Sequence, residues 1–191
     1  MLRILLLVVC LALTACSAPE PSSFRSTDIT GADYGKNFHL TDHTGRPRSL
    51  TDFRGKVVTL FFGYTQCPDV CPTSLAMMAE AMRLLGPQAD QVQVLFVTVD
   101  PERDSQDLLS QYVPAFDPRF LGLYTDPAGI EGVARDFKIF FRKQGDGPHY
   151  TVDHSAGTYV YDPAGRLRLY VRHGETAAAV AEDIRQLLAG R

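Results

Sequence analysis

Two apolar runs dominate the pattern of hydrophobic and polar positions along the chain. Residues 57–62 are a continuous stretch of β-branched, leucine and aromatic side chains, and residues 92–99 are nearly so. Such runs are typical of strands buried on both faces of a sheet. Residues 72–85 lie between them and are mostly good helix formers, with a proline at the start and Gly86 followed by proline at the end. The pattern predicts a strand–helix–strand unit.

Shorter predicted elements flank this unit on both sides. Two short strands joined by a turn are expected between residues 37 and 50, and residues 143–148 are expected to form a flexible loop. A strand hairpin should turn at residues 162–165. Three further helices are predicted. The first begins at a cap, Asp104 or Ser105, and ends near residue 113, and the second begins at Pro127, after a cap at Asp126, and ends near residue 137. The third is an amphipathic closing helix over residues 175–188.

This order of elements predicts the fold class. Strands alternating with helices, followed by a hairpin and a last helix, indicate an α/β protein with a mixed central sheet and helices on both faces. The two cysteines outside the N-terminal leader, Cys67 and Cys71, follow the first long strand directly. Cysteines in that position are typical of a thioredoxin-like fold.

The first residues have the features of a bacterial export signal. Arg3 supplies a positive charge, residues 4–13 are apolar, and Leu-Thr-Ala precedes Cys16. The apolar run is shorter than the roughly 20 residues that span a membrane. An ordinary secretory peptide that happens to contain Cys16 is the alternative to a lipoprotein. We expect a lipoprotein signal peptide over residues 1–16 with the lipid on Cys16, a flexible tether over residues 17–36, and a folded domain over residues 37–191.

Composition and charge narrow the class of partner. The chain has 191 residues, 45% of them hydrophobic, and a formal net charge of −3, so it can form one domain with a proper core. It contains no block of basic residues, and nucleic acid is therefore not an expected partner.

The export signal predicts that the domain lies on the periplasmic side of a bacterial membrane. Ser17, after the lipid site, does not decide between the two membranes; we expect the inner membrane, with the outer membrane as the alternative.

The candidate chemistry centres on Cys67 in the predicted strand-to-helix loop and Cys71 at the helix entrance. Unpaired helix N–H groups and the positive end of the helix dipole are expected to favour a thiolate there. Two sulfurs this close could bind a soft metal ion such as Cu(I), or could cycle between dithiol and disulfide. An inert disulfide would close too short a loop to contribute much stability. Both the metal and the redox interpretation stay open.

Among the histidines, His154 is the candidate third ligand. The predicted topology starts a strand at His154 beside the cysteine loop, where a neutral imidazole could complete a three-coordinate copper site. Sequence distance alone does not establish that it reaches the cysteines. The other histidines, including His43, are expected at the surface or in loops. Met77, Met78 and Met82 have core-packing spacing on the predicted helix and are expected in the core.

Three blocks of sequence together carry a family resemblance. They are Phe-Gly-Tyr-Thr-x-Cys-Pro-x-Val-Cys-Pro over residues 62–72, Val-Thr-Val-Asp-Pro-Glu-Arg-Asp over residues 97–104, and Val-Asp-His-Ser over residues 152–155. In this order, and with three residues between the cysteines, the blocks resemble those of the Sco/SenC proteins, which are membrane-anchored copper proteins of thioredoxin fold. The likeness runs from residue 38 to residue 188, which is nearly the whole mature chain.

The resemblance implies that Cys67, Cys71 and His154 ligate copper as Cu(I) or Cu(II). It also implies a role in assembling the dinuclear copper centre of cytochrome c oxidase, with the copper-centre subunit as partner. Other periplasmic copper chaperones or thiol reductants are further expected partners. Many family members keep an uncleaved membrane helix, whereas this chain is expected to use a lipid on Cys16. We therefore hypothesise a lipid-anchored copper metallochaperone.

A different class of function uses the same cysteine pair. A thiol–disulfide oxidoreductase that keeps the client's cysteines reduced would use Cys67 as the attacking thiol and Cys71 as the resolving thiol. It predicts that His154 is dispensable, whereas the metallochaperone requires it. A third hypothesis, copper or oxidative-stress sensing through the same pair, predicts a regulatory partner.

Overall fold

A computed structural model describes residues 24–191, which form ten strands and four α-helices joined by short 3-10 turns and loops. The strands are β1 (Thr27–Asp28), β2 (His39–Asp42), β3 (Pro47–Ser49), β4 (Val57–Gly63), β5 (Val92–Thr98), β6 (Leu121–Tyr124), β7 (Phe141–Gln144), β8 (Thr151–His154), β9 (Thr158–Tyr161) and β10 (Leu167–Val171). The helices are α1 (Val70–Leu85), α2 (Gln106–Tyr112), α3 (Pro127–Phe137) and α4 (Ala177–Leu188). The expected signal peptide, Cys16 and the first part of the expected tether lie outside the described residues.

Eight strands form one mixed sheet in the order β1-β10-β9-β4-β5-β6-β2-β3. The central strands β4, β5 and β6 run parallel to one another, and β9 lies antiparallel on the other side of β4. All seven residues of β4 are buried, as its continuous apolar run predicts. The predicted mixed sheet is therefore confirmed, and the carboxyl end of β4, which leads to the cysteines, lies near its centre.

Helices cover both faces of this sheet, as predicted. On one face, α1 packs against α4. On the other face, the ring of Phe137 in α3 contacts that of Phe62, with 5.5 Å between the ring centroids. Phe61 points the opposite way because successive residues of a strand alternate, and its ring lies 6.1 Å from that of Phe96. Within residues 24–191, no helix combines the length and the apolar character needed to cross a membrane.

The segment around His154 differs from the prediction. Residues 143–144, expected in a flexible loop, belong to β7, which pairs with β8 in a separate two-stranded sheet. His154 is opposite Phe141 at the end of β8, instead of at the start of a strand. The pattern misses this hairpin because the middle of β7, Arg142 and Lys143, is charged and exposed, so it lacks the alternation of a half-buried strand.

The end of the expected tether is packed on the domain. β1 pairs with β10, and the buried carboxylate of Asp183 in α4 accepts hydrogen bonds from the backbone N–H groups of Arg25 and Ser26, each at 2.8 Å. The prediction that residues 24–36 are flexible is therefore wrong. Polar composition does not reveal these contacts, because their partners lie far away in sequence.

Replacing Asp183 with alanine should detach the segment that precedes β1. Two backbone N–H groups lose a charged acceptor, so the free energy of unfolding should fall by about 1–3 kcal/mol. Amide hydrogen exchange at Arg25 and Ser26 should accelerate, which NMR can measure. The neighbouring exposed Glu182, paired with Arg185 at 3.4 Å, provides the control, since Glu182→Gln should change stability by less than about 1 kcal/mol. Unchanged exchange in Asp183→Ala would contradict this account of how the segment is anchored.

Candidate metal centre

Three potential metal ligands converge at the carboxyl end of β4. Cys67 lies in the loop after β4, Cys71 in the first turn of α1, and His154 at the end of β8. The two sulfur atoms and an imidazole nitrogen all lie within 4.8 Å of one another. Cys71 Sγ is 3.4 Å from His154 Nε2. Within the part of the chain that the structure describes, this is the one cluster of at least three histidine, cysteine or acidic side chains with such spacing.

The two cysteines differ in exposure. Neither forms a disulfide, and Cys67 is half-buried whereas Cys71 is fully buried. Burial raises the pKa of the Cys71 thiol above its usual value, and the nearby Cys67 and Asp104 raise it further. Burial therefore opposes the thiolate that the helix entrance is expected to favour at Cys71. A metal ion that binds Cys71 must displace its proton.

The imidazole of His154 is oriented for binding a metal. Its Nδ1 lies 3.0 Å from the carbonyl oxygen of Ser155, and because a carbonyl only accepts, Nδ1 carries the hydrogen. In the neutral ring, Nε2 is then unprotonated, and it faces Cys71. Burial lowers the pKa of His154, which favours the neutral ring that metals bind. Edge contacts with the rings of Tyr64 and Phe61, at 5.8 and 6.1 Å between centroids, restrict its rotation.

Gly63 leaves the space that Cys71 needs. A Cβ atom at Gly63 would lie 2.7 Å from Cys71 Sγ and 2.9 Å from atoms of the Phe61 and Phe96 rings. In the sequence, Gly63 directly follows the apolar run of residues 57–62 and marks only the end of that strand. A glycine at the end of a buried strand, just before a pair of cysteines, can nevertheless indicate that another part of the chain, here Cys71, packs closely against it.

Asp104 connects the cysteine loop to β5 through hydrogen bonds. Its carboxylate accepts hydrogen bonds from the backbone N–H and the hydroxyl of Thr65, at 3.0 and 2.6 Å, and from the hydroxyl of Thr98 at 2.6 Å. Burial raises the pKa of Asp104, although these hydrogen bonds oppose the shift. Of the two capping residues predicted for α2, Ser105 is the cap, since its hydroxyl accepts from the N–H of Leu108. Asp104 instead stabilises the loop that carries Cys67.

The methionines and His43 have structural roles. Met78 and Met82 are buried in the core and Met77 packs partly buried against it, as predicted. His43 is half-buried, and its Nδ1 accepts a hydrogen bond from the backbone N–H of Gly122 at 3.0 Å. His43 therefore lies in a turn, as expected, but it is not simply at the surface, because its side chain anchors that turn to β6.

The fold and the site together define a thioredoxin-like α/β protein with a two-cysteine, one-histidine centre at the end of its central strand. The chain belongs to the SCO1/SenC family, whose model matches residues 26–189. It is 36% identical over 157 residues to the mitochondrial SCO2 homolog of Mus musculus, an alignment that covers 80% of this chain and 62% of the relative. The chain thus spans less than two thirds of the length of that relative.

Two solved structures of similar proteins have the same fold. Copper-bound ScoI of Bradyrhizobium japonicum is 39% identical, with a TM-score of 0.75 over 82% of this chain and 100% of that chain. Apo Sco1 of Thermus thermophilus is 41% identical, with a TM-score of 0.78 over 87% of this chain and 98% of that chain. These similarities confirm the predicted fold class and the predicted family.

Replacing Gly63 with alanine should disturb the metal centre through packing. The added Cβ would push against Cys71 and two aromatic rings, so the free energy of unfolding should fall by about 1–3 kcal/mol. Displacement of Cys71 should also make its thiol react faster with a thiol reagent in a Cys67→Ala background.

Gly132 in α3 provides the control, because a Cβ there would meet only the end of Arg135 at 3.8 Å. Gly132→Ala should be neutral or stabilise the helix by up to about 1 kcal/mol. Equal stability of the Gly63 and Gly132 variants, with equally slow thiol reaction, would show that Gly63 is not needed for space.

Proposed function

We propose that this chain is a copper metallochaperone that binds Cu(I) and Cu(II) through Cys67, Cys71 and His154. The convergence of two thiols and an unprotonated imidazole nitrogen within 4.8 Å carries the proposal. Thiolates select Cu(I), and imidazole suits copper in either oxidation state. A structural zinc site would need a fourth ligand, whereas this cluster has three members. The family membership and the similarity to a copper-bound ScoI support copper as the ion.

The unequal exposure of the two cysteines suits the transfer of copper to a client as well as its binding. Cys67 and His154 are half-buried, whereas Cys71 is fully buried, so of the two thiolates Cys67 is the one that an incoming thiolate would reach first. A low coordination number leaves room for a client's thiolate to bind before an existing bond to copper breaks. Copper would therefore pass to a pair of client cysteines by stepwise ligand exchange, with no change in its oxidation state.

The proposed client is the copper-centre subunit of cytochrome c oxidase, and the chain would assist assembly of its dinuclear copper centre. The family resemblance supports this client. Other periplasmic copper chaperones would load the site, and thiol reductants would keep Cys67 and Cys71 reduced.

The proposed location is the periplasmic side of a bacterial membrane, with a lipid on Cys16 as the anchor. The export-signal features of residues 1–16 support it. Because residues 24–36 are packed on the domain, the tether in this proposal covers residues 17–23 and the domain begins at residue 24.

The unequal exposure of the two free cysteines also favours a second candidate, a thiol–disulfide oxidoreductase. Cys67 would attack a disulfide of the client, and Cys71 would then resolve the mixed disulfide. Each cycle would oxidise the Cys67–Cys71 pair to a disulfide and reduce the client's disulfide to two thiols. A thiol reductant would have to regenerate the pair.

A copper titration of the reduced chain from residue 17 to residue 191 tests the site. We expect one equivalent of bound Cu(II) with a sulfur-to-copper charge-transfer band. Cys67→Ala or Cys71→Ala should weaken Cu(I) binding by more than roughly 100-fold, because loss of a residue that only hydrogen-bonds to a metal ligand already costs up to that much affinity. His154→Ala should weaken Cu(II) binding far more than Cu(I) binding. His39→Ala, at an exposed histidine of β2, should change neither. Tight Cu(I) binding by Cys71→Ala would refute the proposed site.

Mixing the protein with the purified copper-binding domain of the oxidase subunit separates the two candidate functions. A metallochaperone loaded with Cu(I) should lose copper to the pre-reduced subunit, as measured by metal analysis after separation. An oxidoreductase without copper should instead reduce the oxidised subunit, and His154→Ala should do so at the wild-type rate. Copper that stays on the chain in the presence of excess reduced subunit would contradict delivery to this client.

A further inference from the structure

Arg103 lies beside the metal centre without being one of its ligands. It is in the turn after β5, where its Nε donates to Asp100 Oδ2 at 2.6 Å. Its Nη1 donates to the backbone carbonyl of Tyr150 at 2.9 Å and to Gln66 Oε1 at 3.2 Å. Tyr150 directly precedes β8, which ends in one of the three ligands, and Gln66 directly precedes another. A single guanidinium group therefore connects the two parts of the chain that carry the site.

Tyr150 strengthens this connection from the hairpin side. Its hydroxyl donates to Asp100 Oδ1 at 2.6 Å, and its ring centroid lies 3.5 Å from the guanidinium carbon of Arg103. Burial raises the pKa of Tyr150, so the hydroxyl keeps its proton and stays a donor. Asp100, Arg103 and Tyr150 each contact the other two, and we call this group the Arg103 clamp.

The β7–β8 hairpin needs such an attachment. Its strands pair only with each other in the part of the chain that the structure describes, and a lone two-stranded hairpin is marginally stable in water. Its central residues in β7 are exposed. His154, at its end, can therefore stay near the cysteines only if contacts outside the sheet hold the hairpin in place. The Arg103 clamp supplies three of them: the hydrogen bonds to the Tyr150 carbonyl and from its hydroxyl, and the stacking on its ring.

We propose that Arg103 is a positioning residue that holds the hairpin so that His154 Nε2 faces Cys71. It acts on His154 through Tyr150 and on the cysteine loop through Gln66. Its effect on copper rests on the proposed function, whereas its effect on the position of the hairpin does not. Without Arg103, the cysteine loop keeps its hydrogen bonds to Asp104. We therefore expect Cu(I) binding by the two thiols to be retained, and coordination of Cu(II) by the histidine to be lost.

The variants are chosen so that folding does not obscure the result. Arg103 Nη2 is buried without a hydrogen-bond partner within the described residues, so Arg103→Ala removes an unsatisfied donor together with the clamp. Arg103→Lys keeps the charge and one donor but loses the planar fork. Arg48 is the matched control in the β2–β3 hairpin, because its Nε also pairs with a buried carboxylate, Asp42, at 2.7 Å and its guanidinium also lies over a ring, that of Phe53.

The first measurement uses the reduced, metal-free protein. NMR should detect the contact between the His154 and Tyr64 rings in the wild type, and this contact should be lost in Arg103→Ala, partly restored in Arg103→Lys, and intact in Arg48→Ala. Thermal unfolding checks that each variant is folded. If Arg103→Ala does not fold, Tyr150→Phe keeps the ring, removes one hydrogen bond of the clamp, and should weaken the same contact.

The second measurement is a copper titration of the same variants. Arg103→Ala should bind Cu(II) about 10- to 100-fold more weakly than the wild type and lose the nitrogen hyperfine coupling in its paramagnetic resonance spectrum, while Cu(I) affinity stays unchanged. A folded Arg103→Ala with an intact ring contact and a wild-type Cu(II) spectrum would overturn the inference. A wild type that binds no copper would overturn the proposed function alone, because loss of the ring contact in Arg103→Ala would still support the positioning role.

Discussion

The close approach of α1 to the end of β4 determines the geometry of the candidate metal centre. The approach depends on Gly63, since a Cβ atom there would lie only 2.7 Å from Cys71 Sγ. It buries Cys71 completely, which raises the pKa of its thiol, and it brings the sulfur to 3.4 Å from His154 Nε2. The exposure, the protonation and the position of Cys71 therefore follow from the packing of α1 against the end of a central strand.

The cysteine half of the site could be predicted from sequence because it depends on local patterns. Two apolar runs and the helix between them specify where Cys67 and Cys71 lie. His154 is 83 residues from Cys71, and its hairpin has an exposed, charged strand without clear alternation. The predicted topology made His154 a candidate, and the family resemblance implied that it is a ligand. The block over residues 97–104 contains Asp100 and Arg103, but the sequence does not reveal their contacts with Tyr150 and Gln66, which lie far away along the chain.

In two places tertiary burial opposes a tendency predicted from the local sequence. The helix entrance favours a thiolate through its dipole, whereas the burial of Cys71 favours its protonated thiol. Residues 24–36 follow a Pro/Ser-rich stretch, yet Ser26 is buried and its N–H is bound by Asp183, 157 residues away. Neither the burial of Cys71 nor that of Ser26 can be predicted from the residues next to it in the sequence.

The two halves of the site are attached to the fold in different ways, and this difference bears on function. The cysteines are attached to the main sheet through β4, α1 and Asp104, whereas His154 is attached through a separate hairpin. Disulfide exchange needs only the cysteine half. The hydrogen bond from Nδ1 to the Ser155 carbonyl leaves Nε2 unprotonated and facing Cys71, as a third copper ligand requires. Three potential ligand atoms converge within 4.8 Å, whereas disulfide exchange needs only the two sulfurs, and this convergence favours the metallochaperone over the oxidoreductase.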